Sequence, residues 1–415
     1  MTAVVNALLA LLLGTCLIVA GSGLLGTALA LRADQLGFSS TLTGLVMSAY
    51  FVGYVVGTYV CPKIVRDAGH VRAFSAFAAT AASAVLLHPL LIDAAVWAAL
   101  RFVTGGCMVG LYMVIESWLN ERATNEARGR VFALYQVISL VALAGGQYLI
   151  LLGADSISTA FIIAGALLSI GLVPVVLTRV PHPALISSVQ LDLARLWRIS
   201  PLGVAGTLVA GLANGAFFAL GPVFATRVGL GTGQVALFMS LVLLGGVALQ
   251  WPIGQASDRW DRRTVILTVA LGAALFAALA LMLARQSVPG LLALMFLYGG
   301  GAFSLYPLCV AHANDFAAPA DFVATASGLL LVYGIGAAAG PLLAGPLIQY
   351  LAGYGYLGFL AAMQSALAVF ILVRMRLRRA RPPEEQEPFV MLARTSQSAL
   401  EMIAPADEPG TPSQP

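Results

Sequence analysis

One carboxylate stands out because it lies inside a long apolar segment. Glu116 follows a run of mostly apolar residues that begins near residue 95. A carboxyl group that becomes buried favours its neutral form, so it can take up and release a proton as its surroundings change. The position therefore predicts a proton-coupling role for Glu116. In the alternative interpretation, Glu116 is a structural partner of Arg128 or Arg130.

The same segment carries an arginine near its other end. Arg101 opens the run Arg101-Phe-Val-Thr-Gly105-Gly106. A charged side chain within a membrane span is costly unless it reaches water or a partner, so Arg101 is a functional candidate and, beside Glu116, the second candidate for proton coupling. Because Arg101 lies only one or two turns from the end of the segment, it could instead extend outward to the membrane surface.

Polar and aromatic side chains within other apolar segments are suited to line a solute cavity, although each is also compatible with helix packing. These candidates are Tyr112, Asn214, Gln250, Trp251, Tyr306, His312 and Tyr333. Gly336, Gly340 and Pro341 remove side-chain bulk or a backbone donor, so they predict close helix packing and a hinge.

The composition shows which elements must position these residues. The chain has 415 residues, of which 60% are hydrophobic and 10% charged. A soluble domain carries about 25% charged residues, so this chain cannot coat a surface exposed to water. Apolar runs of about 20 residues without a period of two predict membrane-spanning helices rather than barrel strands. An all-α polytopic membrane protein follows.

Charged and Pro/Gly-rich breaks divide the chain into twelve apolar segments. Their approximate bounds are 6–31, 41–62, 73–92, 95–119, 130–153, 158–178, 202–226, 234–254, 264–284, 288–311, 322–346 and 354–374. No paired-metal, Ser-His-Asp or P-loop pattern occurs in the sequence. We therefore expect no cofactor, no metal, no enzymatic activity and no direct use of ATP.

Basic residues are distributed unevenly between the two sides of the predicted membrane. Of the 22 Lys and Arg residues, 18 fall on the side that carries both termini. By the positive-inside rule, this asymmetry places both termini in the cytoplasm of a multi-pass bacterial inner-membrane protein. The positive charge is then a determinant of topology, so we expect the lipid bilayer as a partner and no binding of nucleic acid. We also expect the protein to be a monomer.

The sequence repeats itself with an offset of about 190 residues. Met47-Ser48 recurs as Met239-Ser240, and the offset later becomes 194 residues, as between Gly105-Gly106 and Gly299-Gly300. Further matches pair Gly37 with Gly229, Gly53 with Gly245, Leu111-Tyr112 with Leu305-Tyr306, Asn120-Glu121 with Asn314-Asp315, and Gly146 with Gly340. A duplicated six-helix unit predicts a solute cavity between the halves near the middle of the membrane.

Four regions follow from this pattern. Residues 1–178 form an N-terminal six-helix bundle, 179–201 a cytoplasmic linker, 202–375 a C-terminal six-helix bundle and 376–415 a tail. The linker is either a short interfacial helix around its leucines and Trp197 or a plain connection. The tail is rich in Pro, Glu and Ser, which predicts disorder.

The loop after the eighth segment, Gly254-Gln-Ala-Ser-Asp258-Arg259-Trp-Asp261-Arg262-Arg263, resembles the G-x-x-x-D-R-x-G-R-R loop of the major facilitator superfamily. Asp261 replaces its second glycine. Gly254 allows close helix contact, and Asp258 can pair with Arg262 and face the positive N-terminus of a neighbouring helix around Gly129. The resemblance implies that Gly254, Asp258, Arg259 and Arg262 latch the cytoplasmic face. As an alternative, these charges only anchor the topology.

The matching loop of the first half is less similar to this pattern. It retains Gly69 and Arg72 but has Arg66-Asp67 where the family has Asp-Arg. The run from Arg101 is similar to the R-x-x-Q-G-x-G stretch of the same superfamily, with Thr104 in place of Gln. The stretches 69–74, 116–135, 305–315 and 333–341 resemble its YcaD-like branch, and the resemblance covers about residues 5–375. It implies a twelve-helix transporter fold.

These features together predict a secondary transporter that moves a small solute by alternating access and is coupled to protons. Because few charged residues occur in the spans, efflux of an amphipathic compound is favoured over uptake. The alternative is a transporter-derived sensor or scaffold that binds a ligand without turnover.

Overall fold

The structure, a computed structural model, describes most of the chain. It covers residues 2–122, 128–153, 156–177, 192–318, 321–351, 354–377, 381–382 and 386–390, with side chains from residue 8 onward except those of residues 122, 128 and 129.

Long helices account for nearly all of these residues, which confirms the all-α fold with twelve spans. In chain order, they are α1 (Thr2–Gln35), α2 (Ser40–Ala68), α3 (His70–Leu87), α4 (Ala94–Arg122), α5 (Arg128–Tyr148), α6 (Ile157–Val176), the short α7 (Leu193–Ile199), α8 (Pro201–Arg227), α9 (Thr232–Arg259), α10 (Arg262–Leu283), α11 (Val288–Asn314), α12 (Phe322–Tyr350) and α13 (Tyr354–Leu377). A 3₁₀ turn, Leu149–Gly153, prolongs α5.

Local sequence signals start several of these helices. The hydroxyl oxygens of Ser39, Ser200 and Ser287 accept the backbone N–H three residues later, at 3.0–3.2 Å. Such caps satisfy amides that have no partner inside the helix. The caps therefore fix where α2, α8 and α11 begin.

Backbone contacts repeat between the two halves and confirm the duplication. A Cβ on Gly105 would strike the carbonyl oxygen of Tyr50, and one on Gly299 would strike that of Val242. Val242 lies 192 residues after Tyr50 and Gly299 lies 194 residues after Gly105, as the sequence repeat requires. The two halves therefore use the same close packing between their second and fourth spans.

The halves meet firmly at one side of the membrane. We call the side where α1 begins and α13 ends the termini side, and the other the opposite side. Three polar contacts between the halves lie at the opposite side or towards it: Thr41 donates to Gln349 at 2.6 Å, Ser240 to the Ala144 carbonyl at 2.7 Å, and Arg227 pairs with Asp34 at 3.8 Å. The described part of the protein is therefore closed at the opposite side.

The linker contains a helix, which corresponds to the first of its two interpretations. The Asp192 carboxylate accepts the N–H of Arg195 at 2.9 Å and starts α7. Leu196 is buried, whereas Leu193 and Trp197 are about half exposed. Residues 178–191, including Leu191, lie outside the described residues.

Candidate functional site

A cavity lies between the two halves near the middle of the membrane. Helices α1, α2, α4 and α5 line it from the N-terminal half, and α8, α11 and α12 from the C-terminal half. Its lining includes Tyr50, Phe51, Tyr54, Thr58, Tyr59, Tyr112, Ser139, Asn214, Phe218, Phe303, Tyr306, Ser327 and Tyr333. Because Thr58 and Tyr59 lie in the termini-side half of α2 and Ser327 near the start of α12, the cavity extends towards the termini side.

Aromatic rings dominate the cavity wall. The rings of Tyr306 and Tyr333 are 5.0 Å apart between centroids, and those of Phe218 and Phe303 are 5.9 Å apart. The Asn214 amide donates to the Tyr333 hydroxyl at 3.2 Å. None of the described lining residues carries a charge. This surface can stack on an uncharged solute and form a few hydrogen bonds with it.

Four of the predicted cavity residues lie on this wall, namely Tyr112, Asn214, Tyr306 and Tyr333. The other three lie elsewhere. Gln250 is buried within α9, Trp251 is 62% exposed on the outside of the bundle, and His312 lies near Asp315 at the end of α11.

Several cavity residues were not singled out from the sequence. Tyr50, Tyr54 and Thr58 follow one another at intervals of four residues, so they lie on one face of α2. That spacing is a signal present in the sequence. Phe218 and Phe303 carry no such signal, because isolated aromatic residues in a span most often contact lipid or another helix.

Glu116 lies directly behind the cavity wall. Its side chain is fully buried, and the Tyr135 hydroxyl donates to its Oε1 at 2.9 Å. Tyr112, one helical turn earlier, lines the cavity and lies 6.5 Å from Tyr54 between ring centroids. Arg130 is exposed, and the Arg128 side chain lies outside the described residues. Glu116 is thus hydrogen-bonded to Tyr135 of α5 and lies one turn of α4 away from Tyr112, which lines the cavity.

Arg101 points into the protein rather than out to the membrane surface. It is 6% exposed, and its guanidinium lies 4.4 Å from the centroid of the Tyr50 ring. It borders a second, smaller void together with Thr27 and Gln147, which are hydrogen-bonded to each other. Tyr50 lines both this void and the main cavity, and therefore separates Arg101 from the cavity.

The second-half loop forms a compact ion-pair cluster. Arg262 is 1% exposed and donates to Asp315 at 2.6 Å, to Asp258 at 3.2 Å and to the Ser257 hydroxyl at 2.9 Å. The cluster of Asp258, Arg262 and Asp315 therefore connects α9, α10 and the end of α11 on the termini side. Burial raises the pKa of the Asp315 carboxyl, and the neighbouring guanidinium opposes this shift.

Other members of the predicted latch differ in their surroundings. Arg259 is exposed, and the predicted contact around Gly129 lies outside the described side chains. In the first half, Arg66 and Asp67 form an exposed pair at 3.3 Å, and Arg72 is also exposed. Gly69 adopts a φ of 82°, which favours glycine, and joins α2 to α3. The two loops are therefore not equivalent.

The predicted packing residues of α12 lie at helix contacts. A Cβ on Gly336 would be 2.5 Å from the Leu208 carbonyl oxygen, and one on Gly340 would strike that of Leu212. Both glycines thus let α12 approach α8. Pro341 is buried, and its carbonyl oxygen faces Gly44 of α2, in the closed contact at the opposite side.

Known proteins resemble the chain along nearly its whole length. A family model described as Major Facilitator Superfamily matches residues 11–330 and 203–404. An Escherichia fergusonii protein named as an uncharacterized MFS-type transporter YcaD is 28% identical over 341 residues, which are 81% of this chain and 86% of the relative. A Yersinia pestis MFS-type transporter is 26% identical over 391 residues, covering 94% and 99%.

Solved structures share the fold at low sequence identity. The nucleoside transporter NupG superimposes with a TM-score of 0.72 at 15% identity, covering 91% of this chain and all of NupG. A D-xylose–proton symporter gives 0.67 at 14% identity, covering 88% and 96%. With twelve spans, a duplicated six-helix unit and a cavity between the halves, the chain belongs to the major facilitator superfamily and is similar to its YcaD-like transporters.

Proposed function

We propose that the protein is a proton-coupled secondary transporter that exports an uncharged, amphipathic compound with an aromatic or similarly flat part. The observation that carries this proposal is the uncharged, tyrosine-rich cavity between two halves that contact each other at the opposite side. Alternating access requires such a site between two rigid units. Flat solutes gain from stacking on these rings, whereas an ion would lose its hydration without a partner of opposite charge.

The direction rests on which side the cavity faces. The excess of basic residues on the termini side favours the cytoplasm for that side. A cavity that extends towards the cytoplasm can load a solute from inside the cell, and an apolar wall suits a compound that also partitions into the bilayer. Export is therefore the proposed direction.

Glu116 and Tyr135 are the proposed coupling pair. A buried carboxylate that accepts a hydrogen bond from a phenol can exchange a proton when water reaches it, and favours its neutral form once water is excluded. Because Tyr112 lies one turn away and lines the cavity, solute binding and proton binding would occur at neighbouring points of α4.

The test is transport in proteoliposomes that hold the purified protein and an imposed pH gradient. The transport of a panel of uncharged aromatic compounds is compared with that of sugars and nucleosides. Sugars and nucleosides are included because the two similar solved structures are a nucleoside transporter and a D-xylose–proton symporter. We expect the aromatic compounds to accumulate. Transport of the sugars without any transport of the aromatic compounds would contradict the proposed substrate class.

Coupling is tested with Glu116→Gln, which mimics the neutral carboxyl. We expect it to abolish accumulation driven by the gradient while downhill exchange remains measurable. Glu121→Gln is the matched control, because Glu121 lies on the same helix but is exposed. Gradient-driven accumulation that survives in Glu116→Gln would exclude the coupling role.

The second candidate, a sensor that binds without turnover, is separated by one measurement. A sensor would bind the aromatic compounds in the purified state but would show no counterflow across the liposome membrane. Saturable counterflow supports a transporter, and binding without counterflow supports the sensor.

A further inference from the structure

A short piece of the C-terminal tail packs against the cluster of Asp258, Arg262 and Asp315. Residues 386–390 lie there although the composition of the tail predicts disorder. The Glu387 N–H donates to the Asp315 carboxylate at 2.9 Å, and the Glu387 carbonyl accepts from Arg262 at 2.6 Å. The Phe389 N–H donates to the Asp258 carboxylate at 2.9 Å. Three backbone groups of the tail therefore bind the cluster.

The side chain of Phe389 adds an apolar contact to these polar ones. Phe389 and Val390 pack against the hydrophobic core. The three atoms nearest to a Cβ built on Gly254 all belong to the Phe389 ring. The ring therefore covers the glycine at which the sequence predicts close contact with another helix.

The tail uses the same groups that a closing latch would need. A latch on the termini side requires Gly254 to be uncovered and Asp258 to face the N-terminus of a helix from the other half, which offers free backbone N–H groups. In the structure, the Phe389 N–H donates to Asp258 and the Phe389 ring covers Gly254. The tail and an incoming helix cannot occupy this surface together.

We propose that the segment 386–390 is an autoinhibitory plug, which holds the transporter open to the termini side and must leave before that side can close. This inference rests on the alternating access proposed above. Because two of its contacts are hydrogen bonds to carboxylates, loss of the plug should change the ratio of the two states by about tenfold or more. Regulation then acts through release of the tail.

The experiment measures distances between spin labels in the full-length protein, in a background without the four native cysteines. One pair, at Ala68 and Ala318, reports on the termini side, and a second, at Leu90 and Gln286, reports on the opposite side. All four positions are exposed, and each pair spans the two halves. The variants are Phe389→Ala, a truncation after residue 382 that removes the plug, and a control truncation after residue 392 that keeps it.

We expect Phe389→Ala and the shorter chain to gain a population with a shorter termini-side distance and a longer opposite-side distance, while the control truncation matches the full chain. A synthetic peptide of residues 383–392, added in excess to the shorter chain, should reverse the change, and a peptide of scrambled order should not. Unchanged distances in both plug variants would overturn the proposal.

Transport by the same samples separates this proposal from the one on which it rests. If the variants transport as the full chain does and their distances are unchanged, the plug is excluded while the transporter stands. If the distances change but no sample carries any solute, the plug stands and the transport function is excluded.

Discussion

Replacing Gly345 by alanine places a methyl group in the closed contact between α2 and α12. A Cβ at this position would lie 2.8 Å from the Ser40 carbonyl oxygen, and ordinary contacts begin at 3.4 Å. The helices must therefore separate by about 0.6 Å, because a backbone oxygen cannot rotate away as a side chain does. Overpacking of this kind costs about 1–3 kcal/mol.

This cost is paid only when the opposite side is closed. We therefore expect Gly345→Ala to raise the ratio of opposite-side-open to opposite-side-closed molecules by about 5- to 150-fold. Gly358→Ala is the matched control, since nothing lies within 4 Å of its Cβ and both changes gain the same helix propensity. The assay is the spin-label distance between positions 90 and 286.

One result would refute this reasoning. If Gly345→Ala lowers the melting temperature of the purified protein but leaves the opposite-side distance unchanged, the contact is a permanent part of the fold. The two halves would then not separate at α2 and α12.

Three further predictions concern charged and titratable groups. Arg101→Lys keeps the charge but loses the planar guanidinium, so we expect it to lose transport as Arg101→Ala does; full transport by both variants would remove Arg101 from the cycle. His88 is fully buried, and burial with the nearby Arg101 lowers its pKa to about 4. In the unfolded chain the His88 imidazole binds a proton near pH 6.5, whereas in the folded protein it stays neutral down to about pH 4. The stability should therefore fall as the pH drops from 6.5 to 4, and the melting temperature of His88→Gln should depend less on pH in this range. Asp315→Asn removes the shorter of the two ion pairs of Arg262, which keeps Asp258 as a partner, and should cost about 1.5–3 kcal/mol of stability. Asp67→Asn in the exposed pair should cost less than about 1 kcal/mol in the same thermal melt.

The spans could be predicted because the bilayer sets their length and apolarity, but their ends could not. The sequence places the second span at about 41–62, whereas α2 runs on to Ala68. Lys63 and Arg66 belong to the helix although they lie beyond its apolar part. The helix can continue into water because its backbone hydrogen bonds are internal, so the end of the apolar run does not mark the end of the helix. The third span begins at His70 rather than near residue 73, since Gly69 ends the preceding helix.

Part of the cavity lining depends on contacts between residues that are distant in sequence. Tyr112 and Tyr306 can be identified from the sequence because they are polar groups in apolar spans. Phe218 and Phe303 can be identified as cavity residues only from the packing of α8 against α11. The docked tail has a similar explanation. Its polar contacts use backbone N–H and carbonyl groups, which every residue offers, so no residue type at 386–390 indicates them.

The close backbone packing within each half has a mechanical consequence. At Gly105 the helices α2 and α4 pack backbone against backbone, and α9 and α11 do the same at Gly299. Each of these helix pairs should therefore move as one rigid unit. Helix α2, with 29 residues, is about 43 Å long and acts as a lever about its midpoint. A tilt of about 10° displaces each end by about 4 Å in opposite directions. A methyl group added at the opposite side would therefore also move the termini-side end of α2, so the proposed alternating access needs no separate relay between the two sides.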